Sequence, residues 1–146
     1  MLTGISRILS GELLYRLDAM GHSDSVVVVD AHFPAERLAK RLIVLPGLSS
    51  PEVLNAIRTV IPLDTAPALD LMASTDGTRL PIQEELIAAA GAAEADVRFV
   101  SRLDFYDIAA DAFLIVRTGE TRVYGNALVR KGVVALTSEV IHGQSR

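Results

Sequence analysis

The sequence predicts an α/β protein of three layers, α/β/α, around a central sheet that is largely parallel or mixed. Two observations carry that prediction. Short unbroken apolar runs, above all the four β-branched residues Val26 to Val29, suit strands buried on both faces rather than half-exposed strands that alternate. Between such runs lie segments with helical periodicity and capping residues, and strands alternating with helices build three-layer α/β domains.

In chain order, Leu13, Leu14, Leu17 and Met20 mark a first helix with Ser10 as its N-cap and Gly21 at its C′ position. The strand Val26 to Asp30 follows, and Pro34 to Lys40 reads as a helical turn with Pro at N1. Leu42 to Leu45 is a second strand ended by Pro46-Gly47. Ser50-Pro51-Glu52 then opens a helix as cap, N1 proline and first-turn acid, with Val53, Leu54, Ile57, Val60 and Ile61 as its buried stripe. Pro62 to Pro67 is a linker, Ala68 to Ala73 a strand, and Asp76-Gly77 a turn. A helix starts near Pro81 and is capped by Gly91, with the alanines up to Ala95 able to extend it. Val97 to Ser101 is a strand, Asp104 to Asp111 a short helix and Ala112 to Arg117 another strand. After the turn Thr118-Gly119-Glu120, Val123 to Val129 and Gly132 to Leu136 supply the final strand or strands. The domain spans residues 1–136 and leaves a polar tail over 137–146, in which His142 faces solvent.

Composition narrows the function. With 146 residues the chain can bury a core of its own, and with no cysteine it offers no thiol nucleophile, disulfide or redox pair. A reducing compartment fits, so the cytoplasm is expected. No apolar segment has the length of a bilayer span or the pattern of a signal peptide. Fourteen basic against eighteen acidic residues, without basic runs, disfavour nucleic acid. Half of the residues are hydrophobic and only 22% charged, which points to burial between subunits or to a large α/β core.

Function is expected at the two ends of the first strand. Ligands of open α/β sheets gather outside the carboxyl ends of strands, where Asp30 stands. His22 lies in the helix-to-strand loop, and an imidazole titrates at about pH 6.5 when unperturbed, so it can give and take protons. On composition alone, an ordinary loop histidine is the commoner reading. At about 3.3 Å per residue the strand keeps its two ends more than ~13 Å apart, so either the loop folds back or another subunit completes the pocket. His32 reads equally as a ligand-site residue or a structural hydrogen-bond donor. Tyr124-Gly125-Asn126, with a glycine inside a strand pattern, reads as a bulge, a close approach of ligand to backbone, or a plain strand glycine. No metal site is expected, because only His22, Asp30 and His32 cluster in sequence and strand geometry separates them. There is no phosphate-binding glycine loop and no nucleophile elbow.

These residues also resemble a known family, the D-ribose pyranases and L-fucose mutarotases, which interconvert forms of free sugars without a cofactor. The resemblance runs through Ile8-Leu9-Ser10 with Glu12-Leu13-Leu14, Met20-Gly21-His22-Ser23-Asp24, Asp30-Ala31-His32-Phe33-Pro34, Phe105-Tyr106, Arg117-Thr118-Gly119-Glu120, Tyr124-Gly125-Asn126 and Lys131-Gly132-Val133. It implies that His22 is the proton donor and that Asp30, Arg102, Tyr124, Gly125 and Asn126 contact sugar. It further implies ring-shaped homo-oligomers, a decamer among them, with pockets at subunit interfaces. Ala31 to Pro34 and Phe105-Tyr106 look like the fucose branch. Ser23 stands where the family usually has glycine, and Leu103-Asp104 replaces a more apolar pair.

Anomer exchange moves one proton off the anomeric hydroxyl and another onto the ring oxygen. His22 is assigned that work, with Asp30, Arg102 and Asn126 fixing hydroxyls and Tyr106 or Tyr124 offering a ring face. The expected ligand is a free monosaccharide such as L-fucose. The alternatives are a pyranose–furanose interconversion of D-ribose, or a non-catalytic sugar-binding accessory to transport.

Overall fold

The computed structural model describes residues 1–136. The tail expected over 137–146, with His142, lies outside the described residues. Along the chain come α1 (Gly11–Ala19), β1 (Ser25–Val29), α2 (Ala35–Leu38), β2 (Leu42–Leu45), α3 (Ser50–Arg58) and β3 (Leu69–Met72). They are followed by α4 (Pro81–Ala90), β4 (Val97–Val100), α5 (Arg102–Asp111), β5 (Leu114–Thr118) and β6 (Ala127–Arg130).

All six strands join one sheet in the order β2-β5-β1-β6-β3-β4. Five run parallel, and β6 is antiparallel to both of its neighbours, β1 and β3. The reason is the link from β5. It crosses the end of β1 and re-enters the sheet from the same end, and a chain that turns back without a crossover helix runs antiparallel. One loop, residues 119–126, is thereby laid across the carboxyl end of β1.

The three layers follow from the alternation of side chains along each strand. Val26 and Val28 join one core with Leu13 and Leu17 of α1, Leu54 and Ile57 of α3 and Leu86 of α4. Val27 and Val29 point the other way, into a second core with Phe105 and Ala109 of α5 and Ala35 of α2. Every valine of β1 is therefore fully buried. At roughly 25 cal/mol per Å² of apolar surface, burying such a strand on both faces is what holds the sheet centre in place. No helix among the described residues is long and apolar enough to cross a membrane.

Several local expectations shift in the structure. Ser10 caps α1 by accepting from the Leu13 N–H at 3.2 Å, but Gly21 is not the left-handed residue after it. Met20 ends the helix in an extended conformation, and Ser23 takes positive φ, +69°. Lys131 Nζ closes the helix instead, donating to the carbonyls of Leu17 and Met20 at 2.9 and 2.8 Å. Helix α3 is capped by Ser49 in a reciprocal capping box with Glu52, one residue earlier than the Ser-Pro signal indicates. Helix α5 starts at Arg102 under a Ser101 cap, so Asp104 lies in its first turn. Gly91 (φ +64°) ends α4 as expected, and the alanines beyond do not extend it. The last strand is only Ala127–Arg130, while 132–136 pair with nothing as a strand.

Candidate active site

At the carboxyl end of β1 the sheet opens into a cavity of about 240 Å³, smaller than the pockets that hold drug-sized ligands. Asp30 forms its floor, 3% exposed. Its main-chain N–H donates to Asn126 Oδ1 at 2.8 Å, and its Oδ1 accepts the His32 N–H at 3.0 Å. An amide N–H can only donate, so the first bond fixes which way the Asn126 amide faces. Its Nδ2 rests against Met72 Sδ at 3.7 Å, a weak acceptor that leaves the amide able to donate to a ligand hydroxyl. Burial pushes the Asp30 carboxyl above its ordinary value, while the His32 N–H, the Asn126 amide and the His32 side chain pull it back only in part.

Loop 119–126 forms the second wall, and a buried carboxylate shapes it. Glu120, 4% exposed, accepts from Arg122 N, Nε and Nη2 at 3.1, 2.9 and 3.1 Å. Arg122 holds the Glu120 carboxyl below its ordinary range and reaches on to Glu85. The Glu120 carbonyl accepts the Ala31 N–H at 2.9 Å, which ties this loop to the turn after Asp30. Tyr124-Gly125-Asn126 is the turn ahead of β6 rather than part of a strand, so the bulge reading is set aside. Tyr124 takes φ +65°. Gly125 is needed for a different reason: a Cβ there would stand 2.9 Å from Glu120 Cγ and 3.1 Å from Ser50 Oγ. The close approach is of protein to backbone.

Helix α5 brings the third wall. Arg102 and Tyr106 lie one turn apart on the face lining the cavity, with the guanidinium 6.0 Å from the Tyr106 ring. Phe33 meets Tyr106 edge-on at 5.3 Å between centroids and Phe105 at 6.0 Å, which fixes the tyrosine ring. Tyr124 is held by a 2.6 Å bond from its hydroxyl to Thr75 Oγ1. Gln83, fully buried, donates to the Met72 carbonyl at 2.8 Å and so sets the end of β3 beneath the cavity. All six residues assigned to sugar are thus at or beside one site: Asp30, Arg102, Tyr106, Tyr124 and Asn126 line it, and Gly125 shapes it. Sequence reasoning missed Met72 and Val123 in its lining, since apolar residues carry no chemical signature, and left His32 open.

His22 is elsewhere. It lies before β1, with its Nε2 3.1 Å from Asp64 Oδ1 and its side chain 60% exposed. Asp64 also accepts from Ser23 Oγ at 2.7 Å and from the Thr65 N–H at 2.8 Å, and these bonds hold its carboxyl below its ordinary range, the Ser23 hydroxyl contributing most. Lys131, past the far end of β6, accepts from Ser23 N at 2.9 Å. His22 and Asn126 therefore flank opposite ends of β6, roughly 16 Å of strand apart. The loop 21–25 does not fold back. Asp64 sat unmarked in a linker, and nothing in the sequence signals its pairing with a residue 42 positions away.

This sheet order, with a polar and aromatic cavity at the carboxyl end of β1, can be set beside known proteins. Residues 3–134 match the RbsD / FucU transport protein family. The chain belongs to that family. It is 40% identical to a fucose mutarotase of Danio rerio, over 92% of this chain and 95% of that one, and 38% identical to a fucose mutarotase of Homo sapiens, over 92% and 96%. The crystal structure of the fucose mutarotase of Streptococcus pneumoniae in complex with L-fucose superposes with a TM-score of 0.85 at 34% identity, covering 92% of this chain and 100% of that chain. Bacillus subtilis RbsD complexed with D-ribose, 20% identical, shares the fold with a TM-score of 0.74.

Two of the positions at which the resemblance leads one to expect a different residue, Ser23 and Leu103, fall on the surface. Ser23 occupies the left-handed conformation that glycine adopts freely, and its hydroxyl bond to Asp64 offsets part of the strain. Leu103 is 66% exposed on α5 and does not enter the cavity.

Proposed function

We propose that this chain is a mutarotase that interconverts the anomers of a free monosaccharide, L-fucose or a pyranose like it, without a cofactor. The observation that supports this best is the pairing of a buried carboxylate and amide, Asp30 and Asn126, with the aromatic rings of Tyr106 and Tyr124 across one small cavity. Carboxylate, amide and the Arg102 guanidinium read hydroxyl groups, and the rings accept the C–H face of a sugar. The relatives named fucose mutarotase, similar over nine-tenths of the chain, agree with this reading.

In this reading His22 supplies the proton and comes from a second copy. Its distance from Asp30 within one chain supports this, and Val123 at the cavity rim, 59% exposed, offers a surface for that copy to cover. The assembly is a closed ring, a decamer in the form the resemblance implies, working in the cytoplasm. Asp64 orients the imidazole, because its bond to Nε2 leaves Nδ1 directed outward.

The test is magnetisation-transfer NMR between anomeric protons of L-fucose, D-galactose and D-ribose, with chelator present. Exchange well above the rate in buffer, fastest for L-fucose, is the expected result. Sugar binding without faster exchange would leave a binding protein in place of an enzyme.

A further inference from the structure

Opening a pyranose ring needs two proton transfers. O1 of the sugar must lose a proton while O5 gains one, so that the C1–O5 bond breaks as the C1–O1 carbonyl forms; reclosure on the other face reverses both transfers, with nothing oxidised or reduced. The preceding reading supplies one titrating group, His22 of a second copy. The cavity of a single chain contains another imidazole.

His32 lines the cavity beside Asp30, Arg102 and Asn126. Its ring Nε2 lies 3.3 Å from the carbonyl oxygen of Thr121. A carbonyl can only accept, so Nε2 carries the hydrogen, and the neutral ring then holds its lone pair on Nδ1. Its main chain is equally constrained: the His32 N–H donates to Asp30 Oδ1 at 3.0 Å, and the Ala31 N–H donates to the Glu120 carbonyl at 2.9 Å. Both the turn that carries the imidazole and the loop that fixes its tautomer therefore belong to the cavity's own walls.

We propose that His32 is a second catalytic residue of this site, accepting the anomeric hydroxyl proton at Nδ1 while His22 of a neighbouring copy serves the ring oxygen. This rests on the mutarotase reading and adds to it a base that belongs to the sugar-binding chain itself. Asp30 then binds hydroxyls without also serving as the base, in keeping with the use of its Oδ1 by the His32 N–H.

Two substitutions separate proton transfer from loop anchoring. His32→Gln keeps an N–H donor of similar reach for the Thr121 carbonyl but has no basic lone pair; His32→Phe loses both. With the assembled wild-type protein as reference, His32→Gln is expected to bind L-fucose within about twofold of wild type, by calorimetry, while exchange at saturating sugar falls at least tenfold, since general base catalysis contributes about 10²- to 10⁴-fold. His32→Ala is expected to recover part of its exchange rate on addition of free imidazole. A His32→Gln protein with full exchange, or a His32→Phe protein whose whole defect lies in binding, would show His32 to be only an anchor and overturn the proposal. A wild-type protein that exchanges no sugar would instead overturn the mutarotase reading.

Discussion

Asn126 Oδ1 accepts the main-chain N–H of Asp30 at 2.8 Å, joining two residues 96 positions apart into the floor of one cavity. The bond links the end of β1 to the start of β6, and both partners are 3% exposed. Removing it leaves a buried donor without a partner. Asn126→Ala is therefore expected to lower unfolding stability by about 1–3 kcal/mol and to abolish measurable L-fucose binding. Urea unfolding and calorimetry read the two effects separately, and unchanged stability would show that water satisfies the Asp30 N–H.

Asp30 sets the acid limit of binding. Burial raises its carboxyl above the ordinary value of about 3.9, so the charged form that accepts hydroxyls is present above the raised value and is lost as pH falls through it. Stability runs the opposite way, because the unfolded chain ionises first: between the ordinary and the raised value, rising pH costs the folded state. L-fucose affinity is expected to weaken at a pH higher than an exposed aspartate would give, and Asp30→Asn is expected to bind weakly with no such slope. An acid limb at or below the ordinary aspartate value would contradict the burial argument.

His22 and Asp64 are expected to act from the neighbouring copy. His22→Gln should keep its fold, being 60% exposed on its side chain, and lose exchange. Asp64→Ala should lower exchange less, since it removes only the group that orients the ring. Mixing unfolded His22→Gln and Asn126→Ala subunits and refolding them together should restore activity, because some cavities then receive an intact His22 and an intact Asn126. Mixtures that stay inactive would place the proton donor within one chain.

Substrate preference is expected to be leaky. The methyl group of a 6-deoxy sugar contributes roughly 0.8 kcal/mol when buried, about fourfold in rate or affinity. The ring of Tyr106, fixed by Phe33, is the surface that could bury it. Tyr106→Ala should narrow the ratio of L-fucose to D-galactose exchange towards one; a ratio that survives would assign the preference to hydroxyl readout by Asp30, Arg102 and Asn126.

The sequence by itself determined the order of helices and strands, though not all of their ends, and marked the strand end at which the cavity opens. Four successive valines cannot all be buried unless both faces of their strand are covered, so Val26 to Val29 already required three layers. Caps at Ser10 and Gly91 were legible because each answers to the local hydrogen-bond needs of a helix end. Asp30 was legible because it ends a strand. Tertiary structure decided the rest, since it concerns pairs distant in sequence. It alone made β6 antiparallel and so laid Asn126 over Asp30, bonded Asp64 to His22, and revealed that Gly125 is required by the packing of Glu120 and Ser50 rather than by strand geometry. It also set His22 at the opposite end of the strands from the cavity, because a strand of fixed rise per residue holds its two ends apart whatever chemistry they carry.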